Sequence, residues 1–231
     1  MDRIIRAVCA RLGILLLIFL AWAAASHAAP ADDVGRVQLP AARLDGGMSV
    51  ERALAERHSV RDCAPAPLSL AEAAQLLWAA QGRNEAGGRT APSAGALYPL
   101  ELYLVAGRVR DLPPGVYRYL SRDHALAKVR DGDRRAALAA AALGQAAVAG
   151  SAMVLVLAAD YARTTRKYGQ RGQRYVHLEA GHAAQNVYLQ AAALRLGTVA
   201  VGAFDDDRVR RVLGLPAAEE PLYLLPVGRL R

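Results

Sequence analysis

Cysteine is nearly absent, with only Cys9 and Cys63 in 231 residues. That excludes a disulfide scaffold and any Cys-rich zinc or iron–sulfur module. Lysine is equally scarce: of 29 basic residues only Lys128 and Lys167 are lysines, and the rest are arginines. The arginines are scattered and form no long run, and aromatic residues make up 6% of the chain. A nucleic-acid binder would carry a basic stripe interleaved with stacking side chains. The net charge of +8 therefore reads as a solubilising surface in an alanine- and arginine-rich composition, and nucleic acid is not an expected partner. Walker loops and the G-x-S-x-G elbow are missing too. The glycines between Gly82 and Gly95 have neither the spacing nor the preceding strand of a dinucleotide fingerprint. His177 and His182 lie about 140° apart around a helix, whereas a helical two-His zinc site needs i, i+4. No metal site is expected.

What is present is globular: 54% hydrophobic and 22% charged residues, with no internal repeat. Arg3, Arg6 and Arg11 precede an apolar stretch from Leu12 to Ala25, and Ser26-His27-Ala28 then offers a small-residue cleavage site. The stretch is shorter than the roughly 20 residues that span a bilayer. Residues 1–29 are expected to be a signal peptide that exports the protein, to the periplasm, with an uncleaved N-terminal anchor as the alternative. Residues 30–48 read as a linker and 49–231 as one domain.

Within the domain, Ser49 caps a helix running through Arg57. Ser69 caps a second to about Gln81, with Glu72 completing a capping box. Alternation predicts strands at Leu100–Val105, Val116–Tyr119 and His124–Val129, the last two paired as a hairpin. Asp133–Leu143 is helical, and the apolar run Ala152–Ala158 suits a central strand. The longest helix spans Arg171–Leu196, ended by Gly197. A short strand at Thr198–Val201, a helix at Asp205–Leu213 capped by acids and a last strand at Leu222–Val227 complete a mixed chain with hairpins. It is neither a TIM barrel nor a doubly wound sheet.

Four constellations have chemical potential. Arg57-His58-Ser59-x-Arg61 offers two guanidiniums, an imidazole and a hydroxyl to a dianionic phosphate, or is simply a solvated face. Pro92-Ser93-Ala94-Gly95-Ala96-Leu97-Tyr98-Pro99 sets small residues between prolines, so that backbone can approach a flat ligand; alone it is an ordinary loop. Lys167, beside Tyr168, stands in a chain that otherwise uses arginine, and an amine can lose its proton where a guanidinium cannot. Glu179, His182 and Asn186 draw a polar line along a mostly apolar helix, and need partners in a structural network, a subunit contact or a ligand.

In order, these four stretches, the last in full Glu179-Ala180-Gly181-His182-Ala183-Ala184-Gln185-Asn186, and two more resemble the nitroreductase-like flavoproteins, in particular the SagB-type branch of thiazole and oxazole dehydrogenases. The additional stretches are Val201-Gly202-Ala203-Phe204 and Val227-Gly228-Arg229. The resemblance implies an α+β fold: a central, mostly antiparallel sheet flanked by helices, in a homodimer that holds FMN at its interface. It implies that Arg57, His58, Ser59, Arg61 and Arg229 grip the phosphate and ribityl chain. Pro92, Ser93, Ala94, Gly95 and Leu97, contributed across the dimer, would line the ring, and Val201, Gly202 and Ala203 would approach it near N5. The long helix would be the dimer core and supply partners to its polar line. Lys167 and Tyr168 would be the catalytic acid/base, a desolvated lysine beside a phenol. The activity so implied is an FMN-dependent oxidoreductase passing hydride to or from a small-molecule or peptide substrate. NAD(P)H, quinone or oxygen would be the second partner, with the last two favoured by export. A non-catalytic exported FMN-binding protein is the alternative.

Overall fold

The computed structural model describes residues 35–231; the expected signal peptide lies outside the described residues. Seven strands make one sheet: β1 (Arg36–Gln38), β2 (Leu100–Ala106), β3 (Gly115–Leu120), β4 (Ala125–Asp131), β5 (Met153–Ala159), β6 (Leu196–Thr198) and β7 (Glu220–Arg229). Their order is β1-β4-β3-β2-β5-β7-β6, and every neighbouring pair is antiparallel. The helices are α1 (Val50–Glu56), α2 (Leu70–Gln81), α3 (Arg135–Ala141), α4 (Ala146–Gly150), α5 (Ala162–Tyr168), α6 (Arg171–Ala193) and α7 (Asp206–Leu213).

The sheet is covered on both faces, and strand alternation assigns the side chains. Met153, Leu155 and Leu157 of β5, with Leu100, Leu102 and Leu104 of β2, pack with Leu76 and Leu77 of α2 and Val176 and Val187 of α6. Val154 and Val156, with Tyr103 and Val105, join Leu138 of α3, Val148 of α4 and Val209 and Leu213 of α7. A strand buried on both faces can be apolar throughout, which is why β5 reads as an unbroken run. Each fully buried Leu or Val contributes about 1.5–3 kcal/mol. This packing, more than helix propensity, holds short elements such as α3 and α4.

Ser69 caps α2 as expected: its Oγ accepts from the Glu72 N–H (3.2 Å), and the Ser69 N–H donates to Glu72 Oε2 (2.8 Å). Asp205 caps α7 in the same way, accepting from the Arg208 N–H at 2.9 Å. Several features depart from the sequence reading. The expected linker 30–48 contains β1, which pairs with β4 at the sheet edge; His124 ties down the chain beyond it through the Tyr119 hydroxyl and the Pro40 carbonyl (both 2.8 Å). Helices α4 and α5 are not among the expected elements, and the strand expected at Thr198–Val201 lies at Leu196–Thr198, with Val201 in an isolated bridge. α6 ends at Ala193, and the chain turns at Arg195, which takes the left-handed conformation (φ 57°). Gly197 does not end the helix. It lies in β6 opposite Gly228, where a Cβ would stand 2.6 Å from Val60 Cγ1, so its small size serves close packing.

Glu72 serves two ends of the fold, because the guanidinium of Arg229 on β7 also grips it (2.7 and 2.8 Å). Glu72→Ala should cost about 2 kcal/mol, and Ser69→Ala, which keeps the pair with Arg229, about half as much. Urea denaturation of the two variants checks the ranking.

Candidate active site

The loop before β2 and the end of α5 meet. Ser93 opens a single 3-10 turn, Ala94–Ala96, and its Oγ accepts from the Tyr98 N–H at 2.9 Å. Gly95 within this turn has φ +62°, and a Cβ there would stand 2.7 Å from Tyr168 Oη and 3.1 Å from Lys167 Nζ. The fold therefore brings Lys167 and Tyr168 directly over the Pro92–Leu97 loop. Arg163 on α5 fixes the approach, donating to the Tyr98 carbonyl (3.1 Å) and to Glu101 Oε1 (2.5 Å). Tyr168 packs edge-on against Tyr175 of α6 at 5.2 Å, and Tyr161 at the other end of α5 is hydrogen-bonded to His177 Nε2 at 2.6 Å. Tyr168 is half-buried but Lys167 is exposed, so the desolvated lysine expected of an acid/base pair is not found within the single chain.

A second group forms around Tyr188 of α6. The Arg57 guanidinium lies over its ring, 5.2 Å from the centroid. Its hydroxyl shares a hydrogen bond with Ser59 Oγ (3.1 Å) and accepts from the Ala200 N–H (2.7 Å). One phenol thus joins the Arg57–Arg61 segment to Val201-Gly202-Ala203. That segment is pinned on both sides, by the Val201–Leu224 bridge and by Gln145 Nε2 donating to the Ala203 carbonyl (3.0 Å). His58 Nδ1 donates to the Glu56 carbonyl at 2.9 Å, and Arg61 is exposed with no ion-pair partner among the described residues. Beside them is a cavity of about 250 Å³ lined by Arg57, His58, Tyr188, Arg195, Thr198 and Leu230. A larger groove of about 360 Å³, between Met48, Val50, Trp78 and Leu189, contains Asn186 of the polar line and none of the residues expected to hold cofactor.

Arg229, expected in the phosphate grip, pairs its guanidinium with both oxygens of Glu72 and keeps its side chain partly exposed. Of the polar line on α6, Asn186 finds its partners in its own chain, in keeping with a structural network. Asn186 Nδ2 donates to the carbonyls of Ala79 (3.0 Å) and Thr90 (3.3 Å), while His182 is exposed. Glu179 is 2% exposed, and its Oε1 has no hydrogen-bond partner. Burial pushes its carboxyl up to about 7, opposed by the Ser93 hydroxyl, Arg89 and Gln81. Tyr188, Arg89 and Gln81 were not singled out from the sequence, since nothing in their spacing separates them from ordinary helix and loop residues.

Among known proteins, the Nitroreductase family profile matches residues 54–229. A protein of Methanocaldococcus jannaschii named as a nitroreductase is 46% identical over 198 residues, 85% of this chain and 98% of its own. The trifolitoxin operon protein TfxC of Rhizobium leguminosarum bv. trifolii is 28% identical over 194 residues, 76% of this chain but 54% of its own length. A nitroreductase-type structure from Ralstonia eutropha superposes with a TM-score of 0.74 at 30% identity, covering 85% of this chain and 90% of that one. A chain of the E. coli microcin synthetase McbBCD complex shares the fold at a TM-score of 0.66 and 23% identity, covering 83% and 79%. The chain belongs to the nitroreductase family, whose members are oxidoreductases, generally FMN-dependent.

Two predictions follow from this geometry. Gly95→Ala should displace Lys167 and Tyr168 as well as strain the turn. Gly87→Ala, where φ is +81° and nothing lies within 4 Å, should only strain, by about 1 kcal/mol. Equal losses of stability with unequal shifts of the Tyr168 ring resonances check this. The second concerns Glu179. Its folded pKa is raised from 4.5 to about 7, so the stability it contributes is complete below pH 4.5 and is lost as the pH rises through 7. Relative to Glu179→Gln, the wild-type protein should lose about 3 kcal/mol across that interval, measured by urea denaturation at stepped pH.

Proposed function

We propose that the protein is an FMN-dependent oxidoreductase of the SagB type, acting as a homodimer on a small-molecule or peptide substrate. The observation that carries this is the placement of Lys167 and Tyr168 over Gly95, since it joins the two stretches whose chemistry matters most. The residues present fit the cofactor. Arg57 and Arg61 with Ser59 and His58 are a donor set for a dianionic phosphate, and Arg57 is already oriented by Tyr188. Ser93, Ala94 and Gly95 expose a small-residue surface on which a flat ring can rest, with Leu97 beside it.

Bound FMN would supply hydride transfer, and the protein would supply grip, orientation and protons. Arg57 and Arg61 would neutralise the phosphate. Val201-Gly202-Ala203 would present backbone at close range, and Gly202 is exposed, with only the Tyr223 ring within 4 Å of where a Cβ would stand. Lys167 Nζ and Tyr168 Oη would hold or accept a proton at the substrate, and a partner subunit or bound substrate covering Lys167 would provide the desolvation that the single chain lacks.

A homodimer accounts for two otherwise costly features. α6 bares Leu178 (54% exposed) and, one turn on, Gly181, where a Cβ would meet nothing within 4 Å outside the helix's own backbone. A mid-helix glycine costs about 1 kcal/mol, which close approach by a second helix would offset. The two groups of site residues are also far apart: Tyr175 and Tyr188 are separated by about 20 Å along α6. One copy's loop and another copy's arginines would meet more readily than the two groups of one chain. Residues 1–29 carry the export part of the proposal, with quinone or oxygen then favoured over NAD(P)H as redox partner.

An absorption spectrum of the purified protein with and without added FMN tests the assignment. The expected result is a bound flavin band at about 450 nm. Arg57→Ala and Arg61→Ala should each weaken FMN retention about tenfold, whereas Lys167→Ala should keep the flavin and lose turnover. A protein that stays colourless with excess FMN would overturn the cofactor assignment. Bound flavin with no turnover on NAD(P)H, quinones or oxygen would leave the non-catalytic flavin-binding alternative.

A further inference from the structure

Beneath the Ser93–Tyr98 turn lies a buried polar cluster that the proposed chemistry does not use. Glu179 enters it from α6 at 2% exposure, and Gln81 enters it from the end of α2 at 1%. Glu179 Oε1 and Gln81 Nε2 are both buried without a hydrogen-bond partner. Two buried groups of opposite hydrogen-bonding character left unpaired are costly to maintain, because each leaves its desolvation uncompensated. Arg89 closes the cluster, donating to Gln81 Oε1 (2.8 Å) and to the Leu100 carbonyl (3.2 Å) while its guanidinium lies 4.8 Å from the centroid of the Tyr98 ring.

Ser93 connects this cluster to the surface. Its oxygen accepts from the Tyr98 N–H, which closes the turn, so its own hydroxyl proton is free to be donated inward. A carboxylate at Glu179 accepts that proton well, whereas the neutral acid, with one oxygen carrying hydrogen, accepts it poorly. The charged groups around Glu179 are few. Arg89 faces it directly. Glu101 on β2 and Arg163 on α5 act on Arg89 from behind, Tyr98 and Tyr119 border Arg89, and His182 on α6 itself points to solvent. Apart from Glu179, the groups facing the turn from below are Arg89, which stays cationic, and Gln81, which does not titrate.

We propose that Glu179 is a positioning residue that sets, by passing between carboxylate and neutral acid, how firmly the Ser93–Leu97 turn is held. Through the turn it would set the surface that meets the flavin and the seat of Lys167 and Tyr168. The proposal rests on the FMN assignment above for its functional consequence, but the coupling of Glu179 to the turn is a property of this chain alone. The balance of burial against Arg89, Ser93 and Gln81 puts the change near neutral pH, where it can alter the site under ordinary conditions.

The test begins without flavin, by following the backbone amide resonances of Ser93, Gly95 and Tyr98 against pH. In the wild-type protein they should move together with a midpoint near 7. Glu179→Gln should abolish the movement. Ser93→Ala should abolish it as well while leaving the Glu179 carboxyl infrared band titrating, and it serves should Glu179→Gln fail to fold. With FMN added, the wild-type-to-Glu179→Gln ratio of affinities should rise about tenfold between about pH 6 and 8; taking the ratio cancels the titration of the phosphate itself. Turn resonances that are flat in the wild type, or that titrate unchanged in Glu179→Gln, would overturn the proposal, and so would a constant affinity ratio. Amides that follow Glu179 in a protein that binds no FMN at any pH would uphold the coupling and reject the cofactor assignment instead.

Discussion

Burial of one stripe of α6 against the sheet is the constraint on which the rest of the site depends. Val176, Ala180, Ala183, Val187 and Ala191 lie on that stripe, all nearly inaccessible, at the spacing of a single helical face. Three of the five are alanines, so the helix can sit close to the strands and its rotation is set by shape rather than by one large anchor. Once rotation and height are fixed, so is every polar side chain the helix bears. Tyr175 must face the end of α5, Glu179 the loop cluster, Asn186 the carbonyls of Ala79 and Thr90, and Tyr188 the Arg57 segment. A shift of one residue would turn each by about 100° and dismantle all four contacts at once.

Charge is used locally in spite of the basic composition. Glu101, nearly buried, takes both Arg118 (2.8 Å) and Arg163 (2.5 Å), and Arg118 reaches on to Glu219, which also accepts from the Tyr103 hydroxyl at 2.7 Å. Proximity to Glu219 and burial hold the Tyr103 phenol neutral by pushing its pKa well up. The ladder joins β2, β3, α5 and the residue before β7 through partly desolvated ion pairs, where removing one partner costs far more than the pair contributes. Exposed arginines such as Arg61 stand apart from it. Chemically identical side chains thus do different work: Arg118 and Arg163 tie elements of the fold together, and Arg61 is left to meet an anion.

Much of the fold was legible because its signals are local. Ser69 with Glu72, Asp205 before an acidic first turn, and the uninterrupted run of β5 each state their structure within a few residues. β1 was hidden by its length, since three residues show no periodicity and become a strand only by pairing with β4. α5 was hidden by composition: Arg163, Thr164, Thr165, Arg166 and Lys167 give no apolar stripe, and tertiary contacts through Tyr161 and Arg163 hold the helix in place. Gly197 misled because glycine serves two purposes, and its use at a tight strand crossing cannot be told from helix termination without the fold. The pairing of Arg229 with Glu72 was hidden for a related reason, because the sequence shows a guanidinium but not the carboxylate it meets. Tyr188 could be found only from the structure, as its role is to join two segments that are remote in sequence.

The two groups of site residues have different physical characters, and that difference gives the proposed dimer its logic. The Tyr188 group is cationic, shallow and pre-oriented, suited to hold a charged end that remains in contact with water. The Gly95 group sets small loop residues beneath Lys167 and Tyr168 and is backed by buried polar side chains, suited to a flat ring that is stable only where water is excluded. A ligand with both kinds of end needs both surfaces facing one space, yet a rigid helix of 23 residues holds them apart within the chain. Two copies related by a two-fold axis would bring one group of each chain opposite the complementary group of the other, generating two equivalent sites from one interface. The same rigid α6 that sets the heights of Tyr175, Glu179 and Tyr188 would then set the distance between the halves of each site. Binding would need no large rearrangement of either chain, only the seating of the Ser93–Leu97 turn above Glu179.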